Sequence, residues 1–215
     1  FMDRNQNKTL TINCKGELID FSSPRVMGIL NLTPDSFYDG GQYVQSGKLQ
    51  PRIEQILEEG ADFIDLGGAS TRPGAEEVPQ EEEWARLQPA LELLARQYPG
   101  ARASVDTYRA EIARRAVEDY GACMVNDVSA GQLDDDMFAT VARLGIPYIM
   151  MHMQGQPRTM QHDPQYEDLV RDMIHYFAQR VDSLTYKGLN DILIDPGFGF
   201  GKTQGHNYQL LEKLD

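Results

Sequence analysis

Six short runs of apolar and β-branched residues each break off at a polar residue able to do chemistry. Residues 26–30 lead to Asn31, 63–64 to Asp65, 103–105 to Asp106, 124–125 to Asn126-Asp127, 148–151 to His152 and 192–194 to Asp195. Stretches with helical spacing separate the runs. In residues 49–59, Ile53, Ile56 and Leu57 fall on one helical face before Gly60. In residues 80–97, Trp84, Leu87, Leu91 and Leu94 do the same behind the acidic opening Gln80-Glu81-Glu82-Glu83. Further helices are predicted over 109–120, 134–144 and 166–185, with a last one starting near Asn207. Strands are predicted over 26–30, 63–66, 101–105, 123–126, 148–151 and 191–194. Residues 9–21, alternating around Lys15-Gly16, read as a β-hairpin suited to the bottom of a barrel.

Strict β/α alternation implies parallel strands joined by crossover helices. A doubly wound open sheet would bind ligands at one switch point. A (β/α)8 TIM barrel gathers every strand end around one mouth, and polar residues after nearly every run favour it. Such a barrel typically takes about 250 residues. These 215 residues hold about six β/α units, so the expectation is a barrel short of two strands and two helices. No linker divides the chain, which reads as a single domain over 1–215.

Charge and composition narrow the function. The net charge is −13 with no basic stripe, which argues against a nucleic-acid partner. No apolar run reaches the roughly 20 residues of a membrane helix, so no membrane partner is expected. Residues 1–8 are polar and carry no secretory signal. Cys14 and Cys123 form no CxxC pair and read as two reduced thiols, so a cytoplasmic protein is expected.

The loops carry the candidate chemistry. Residues 31–41 are dense in turn formers, including Pro34-Asp35 and Gly40-Gly41, and a strand-end loop of that length points to function. Gly67-Gly68 would let the backbone approach a ligand closely, and Thr71 and Arg72 suit phosphate or carboxylate oxygens. Residues 197–203, Gly-Phe-Gly-Phe-Gly-Lys-Thr, fail as a P-loop because Pro196 stands where the first glycine is needed. What is left is a glycine-rich loop behind Asp195 with two phenylalanines to stack on a flat ring.

Asp106, Asn126 and Asp195 form the most suggestive trio. A carboxylate can accept two parallel hydrogen bonds from an amino-pyrimidinone edge, and an asparagine can read the neighbouring edge. Phe200 and Met151 would cover the faces of that ring. Any one of the trio alone would serve equally as a helix cap; three at equivalent positions argue for a shared ligand. His152 reads as structural rather than as a metal ligand, since His162, His175 and His206 show no metal-ligand spacing.

Six segments together resemble the dihydropteroate synthase family of pterin-binding TIM barrels. They are MGILNLTPDSFYDGG (27–41), DLGGASTRPGA (65–75), SVDTYR (104–109), VNDVSAG (125–131), MMHMQGQP (150–157) and DPGFGFGKT (195–203). Ala69 stands where the family often has Glu, and Tyr38 where it often has Ser. The resemblance implies a folate-pathway transferase that condenses 4-aminobenzoate with 6-hydroxymethyl-7,8-dihydropterin pyrophosphate, using Mg2+ and inhibited by sulfonamides. It implies catalytic roles for Asn31, Asp106 and Asp195, with Asn31 helping to hold Mg2+ and pyrophosphate. Asp106, Asn126 and Asp195 would bind the pterin, Met151 and Phe200 would line its faces, and Thr71 and Arg72 would close over pyrophosphate and aminobenzoate.

The resemblance also implies a homodimer, and a Lys on strand 7 with an Arg and a His on strand 8. These three side chains do not occur in the 215 residues, which alone are expected to be inactive. Two other readings remain open. Methyltetrahydrofolate-dependent pterin-binding methyltransferase domains share the aspartates and the asparagine but lack the two pyrophosphate loops found here. A non-catalytic pterin-binding fragment is the other.

Overall fold

A computed structural model describes residues 10–33, 47–70, 77–155 and 164–214. The chain opens with a hairpin, β1 (Thr11–Cys14) and β2 (Glu17–Asp20). It then alternates: β3 (Met27–Asn31), α1 (Leu49–Glu58), β4 (Phe63–Gly67), α2 (Gln80–Gln97), β5 (Ala103–Asp106), α3 (Ala110–Tyr120), β6 (Met124–Asp127), α4 (Met137–Leu144), β7 (Tyr148–Met151), α5 (Leu169–Tyr186), β8 (Ile192–Asp195) and α6 (Gln204–Glu212).

The six β/α strands form one parallel sheet in the order β3-β4-β5-β6-β7-β8. A doubly wound sheet would reverse its order at a switch point, and this one never does. With right-handed crossovers and no reversal, every helix falls on the same side, and the sheet curls into a barrel wall. Within the described residues, β3 and β8 each pair on one side only.

Side chains alternate across this wall. Leu30, Ile64, Leu66, Val105, Val125, Tyr148 and Met150 face out and pack with Ile53, Leu87, Leu91, Ile112 and Val141 of the helices in one core. The opposite face holds the site. The hairpin closes the other end: Ile12, Cys14 and Ile19 pack against Phe63, Cys123, Met124 and the inward Ile149 and Leu193. The Asn13 amide donates to Asp191 Oδ2 (2.9 Å), and Arg102 pairs with Glu17 (2.8 Å). This is the bottom position expected for the hairpin.

Several boundaries move for local reasons. Strand β4 runs one residue beyond the predicted 63–66, to Gly67, and Asp65 sits in mid-strand because the barrel interior accommodates its polar side chain. Helix α4 starts at Met137, not near 134, because Asp134 is used elsewhere: its Oδ2 accepts from the Ala110 amide at the start of α3 (2.8 Å). Helix α5 starts at Leu169, where Asp168 accepts from the Arg171 amide. Helix α6 starts at Gln204, not near Asn207, behind a capping box of Thr203 and His206. None of Asp106, Asn126 and Asp195 occupies an N-cap position, which removes the capping account of the trio. No helix among the described residues is long and apolar enough to cross a membrane.

Candidate active site

A cavity of about 280 Å³ opens at the C-terminal ends of the strands. Each of the six parallel strands gives it one polar or polarisable side chain: Asn31, Asp65, Asp106, Asn126, Met151 and Asp195. Phe200 joins from the glycine-rich loop, and Thr33, Ser70 and Val128 from the loops behind β3, β4 and β6. Six expected site residues (Asn31, Asp106, Asn126, Met151, Asp195 and Phe200) therefore share one cavity. Thr71 and Arg72, like residues 34–46 of the first long loop, lie outside the described residues.

Sheet register explains the convergence. Asn31 lies opposite Gly67, Gly67 opposite Asp106, and Asp106 opposite Asn126, so one lateral row runs across four strands. Gly67 keeps that row open. A Cβ there would lie 2.8 Å from Asn31 Oδ1 and 3.4 Å from Asp106 Oδ2. Its neighbour Gly68 faces the other way, where a Cβ would meet the Glu83 carbonyl at 2.8 Å.

The acidic groups are unusually placed. Burial pushes the Asp106 carboxyl well above the ordinary carboxylate range, and the negative charges of Asp65, Glu83 and Asp127 add to this. Burial likewise raises Asp65. Asp65 Oδ2 accepts from Asn126 Nδ2 (2.8 Å), while its Oδ1 is buried without a hydrogen-bond partner. Asp195 is held twice: its Oδ1 accepts from the Gly197 amide (2.7 Å) and its carbonyl from the His152 amide (3.1 Å). A pocket with carboxylates this poorly compensated favours a ligand rich in N–H donors or carrying positive charge.

Two further networks shape the rim. Asp127 does not face the cavity; it accepts from the Ser129 amide and hydroxyl (both 2.7 Å), the Gly131 amide (2.8 Å) and the Tyr148 hydroxyl (2.7 Å), folding the loop behind β6. Buried Glu83 of α2 pairs with Arg109 and accepts from Thr107 Oγ1 (2.6 Å). Arg109 also donates to the Val78 carbonyl (2.7 Å), which ties residues 77–79 to the end of β5 beside Asp106.

The apolar wall is narrower than expected. Met151, Val128 and Met153 cluster with Phe200, whereas Phe198 is exposed and lines no part of the cavity. The donors present also suit the expected Mg2+. Among the described residues no three His, Cys, Asp or Glu side chains converge on a metal position. The cavity instead offers the hard amide oxygen of Asn31, which matches an ion that keeps water and phosphate oxygens for most of its octahedral positions.

Asp65, His152 and Lys202 carry roles that sequence spacing did not assign. Asp65 had one usable signal, its position two residues after Phe63 on the inward face of β4. Lys202 is buried, and its Nζ donates to three backbone carbonyls, so it does not face a phosphate as a P-loop lysine would.

Residues 27–215 match the pterin binding enzyme family. The chain is 41% identical to the dihydropteroate synthase of Haemophilus influenzae over 208 residues, which is 96% of this chain and 74% of that one. Among solved structures, it superposes on the Yersinia pestis dihydropteroate synthase, solved as a sulfonamide drug complex, with a TM-score of 0.88 at 42% identity, covering 95% of this chain and 74% of the other. The Xanthomonas albilineans dihydropteroate synthase with 4-aminobenzoic acid gives a TM-score of 0.84 at 40% identity, covering 96% and 73%.

Proposed function

This chain belongs to the dihydropteroate synthases of the pterin binding enzyme family, and from that membership we propose which of its side chains do what in the condensation of 4-aminobenzoate with 6-hydroxymethyl-7,8-dihydropterin pyrophosphate. The observation that carries the assignment is the cavity to which all six parallel strands contribute at least one side chain.

The pterin ring lies at the inner end. Asp106 and Asp195 accept from its ring N–H and amino groups. Asn126, with its Nδ2 held by Asp65, offers its carbonyl oxygen to the same heterocycle. Met151 and Phe200 cover its faces. The pyrophosphate end points to the outer rim at Asn31, where the aminobenzoate enters; the roles given to Thr71 and Arg72 on these two groups rest on the family resemblance. Asn31 would also help to hold Mg2+, which would supply charge neutralisation for the pyrophosphate oxygens.

Chemistry at this site needs no covalent enzyme intermediate. The bond from the exocyclic methylene carbon to the pyrophosphate oxygen breaks, and its electron pair leaves with pyrophosphate. Positive charge left on the methylene–pterin system is stabilised by the buried carboxylates around it. The aminobenzoate nitrogen then forms the new C–N bond and loses one proton. Positioning and electrostatics do the rest. The homodimer implied by the resemblance and the cytoplasmic location read from the two unpaired cysteines belong to this same proposal.

Calorimetry with dihydropterin pyrophosphate on the native protein and its Asp195→Ala variant tests the assignment. The variant is expected to lose measurable pterin binding. Unchanged affinity would sink the role given to Asp195.

A further inference from the structure

Behind the glycine-rich loop lies a buried pair that the proposed chemistry does not use. Lys202 and His152 are both almost fully enclosed. Lys202 Nζ lies 3.0 Å from His152 Nδ1 and donates to the carbonyls of His152 (3.0 Å), Gly197 (3.0 Å) and Phe200 (2.9 Å). His152 follows the last residue of β7, and Gly197 and Phe200 follow β8. One ammonium group therefore joins the exits of two neighbouring strands.

The loop is shaped to be joined there. Gly197 and Gly201 have φ of 68° and 58°, and a Cβ on either would fall 2.2 Å from the His152 carbonyl or 2.9 Å from the Gln154 backbone. The Phe200 amide closes a turn on the Gly197 carbonyl (3.1 Å), and the Gly201 carbonyl accepts from the Tyr166 hydroxyl (2.7 Å). Tyr176 meets the His152 ring edge-on at 4.7 Å. The same Gly197 whose carbonyl accepts from Lys202 donates its amide to Asp195 Oδ1.

We propose that Lys202, with His152 as its fixed acceptor, is a positioning residue for the pterin subsite: it sets the Asp195 carboxylate through Gly197 and the Phe200 ring through the Phe200 carbonyl. This inference rests on the pterin assignment above. The charge state of the pair supports the geometry. Burial pulls His152 down to about 4, so its Nδ1 is free to accept, and burial pulls Lys202 down to about 8. The ammonium is thus committed inward, with backbone dipoles satisfying it, and not offered to a phosphate.

The test combines a ligand-free and a ligand-dependent measurement on wild type, Lys202→Met, His152→Asn and His152→Leu. Asparagine places an amide oxygen near the position of Nδ1; leucine does not. Hydrogen exchange without ligand should show the Gly197 and Phe200 amides deprotected by tenfold or more in Lys202→Met, with α2 unchanged. The KM for dihydropterin pyrophosphate should rise by roughly tenfold while that for 4-aminobenzoate stays within about twofold, the effect of losing one charge-assisted contact behind one subsite. His152→Asn should stay close to wild type, and His152→Leu should follow Lys202→Met.

Unchanged loop exchange in Lys202→Met overturns the clamp. A loosened loop with both KM values moving together, or neither, overturns the positioning role. If Lys202→Met does not fold, the two His152 variants decide: equal behaviour overturns the proposal and divergence supports it. Wild type that fails to bind dihydropterin pyrophosphate refutes the pterin assignment and this positioning role with it, while the exchange result still decides whether Lys202 fixes the loop.

Discussion

The Asn126 side chain donates to Asp65 Oδ2 at 2.8 Å, reaching from β6 past β5 to β4 on the inner face of the barrel. The bond fixes which end of the amide faces the cavity. Asp65 itself is costly to the fold, being buried with one oxygen unpartnered. Function and stability should therefore part at this residue. Asp65→Leu is expected to melt at or above the wild-type temperature while its pterin affinity falls by about 10-fold or more, the size of a hydrogen bond to a charged group. Calorimetry paired with thermal denaturation measures both. A variant that loses stability but keeps its affinity contradicts the orienting role.

Gly67 separates Asn31 from Asp106, and the side chain it lacks would press on the Asn31 amide oxygen. Because that obstacle is the tip of a side chain, Gly67→Ala should fold normally. Its kcat/KM is expected to fall by about tenfold or more, as displacement of a positioned group by a fraction of an ångström does. Circular dichroism and steady-state rates on one preparation decide it; near-wild-type rates would show that Asn31 has room to yield.

His152 makes stability depend on pH. Burial lowers it from 6.5 to about 4. Between those values the unfolded chain binds a proton that the folded protein refuses, so stability is full above about pH 6.5 and is lost as pH falls towards 4. At about 1.4 kcal/mol per pH unit the full effect is ~3 kcal/mol. Denaturant unfolding of wild type and His152→Asn at pH 7 and pH 4.5 isolates it. The difference in stability between the two pH values should be smaller in the variant.

Glu83 anchors Arg109 and Thr107 from the first turn of α2. Its side chain is buried, so Glu83→Ala removes the enclosed carboxylate from Arg109 and leaves it only the longer, exposed contact to Glu77 (3.5 Å). The expected loss is about 3–5 kcal/mol of stability, read as a fall in the denaturant midpoint. A loss below 1 kcal/mol would show that Glu77, the Val78 carbonyl and solvent suffice for Arg109.

The barrel wall was legible in the sequence because each βα unit writes its own pattern: an inward polar residue closing an apolar run, then a helical stripe. Residues 148–151 and 80–97 match β7 and α2 residue for residue. Five site residues were legible for the same reason, each standing at or beside a strand end, and Phe200 was legible from the glycine-rich loop that follows β8. What escaped depends on partners that are distant in sequence. The role of Asp65 is set by Asn126, and that of Lys202 by His152, 50 residues before it. Asp134 reads as the start of its own helix but accepts from the first amide of the preceding one. Phe198 and Phe200 look equivalent in sequence, but the positive-φ glycines at 197, 199 and 201 turn the loop so that only Phe200 reaches the cavity.

The hairpin beneath the barrel bears on the order of assembly. Asn13 and Asp191, which join it to the wall, are 178 residues apart in the chain, and Cys123 lies 109 residues beyond Cys14. The hairpin is made before these strands and so docks on segments synthesised much later. Ile12, Cys14 and Ile19 have no complete surface to cover until β6, β7 and β8 have arrived. Closing so long a loop is slow, and it is rewarded only when the wall already stands. A plug made before the wall is seated after it, and its docking marks the moment at which the six strands have found their order.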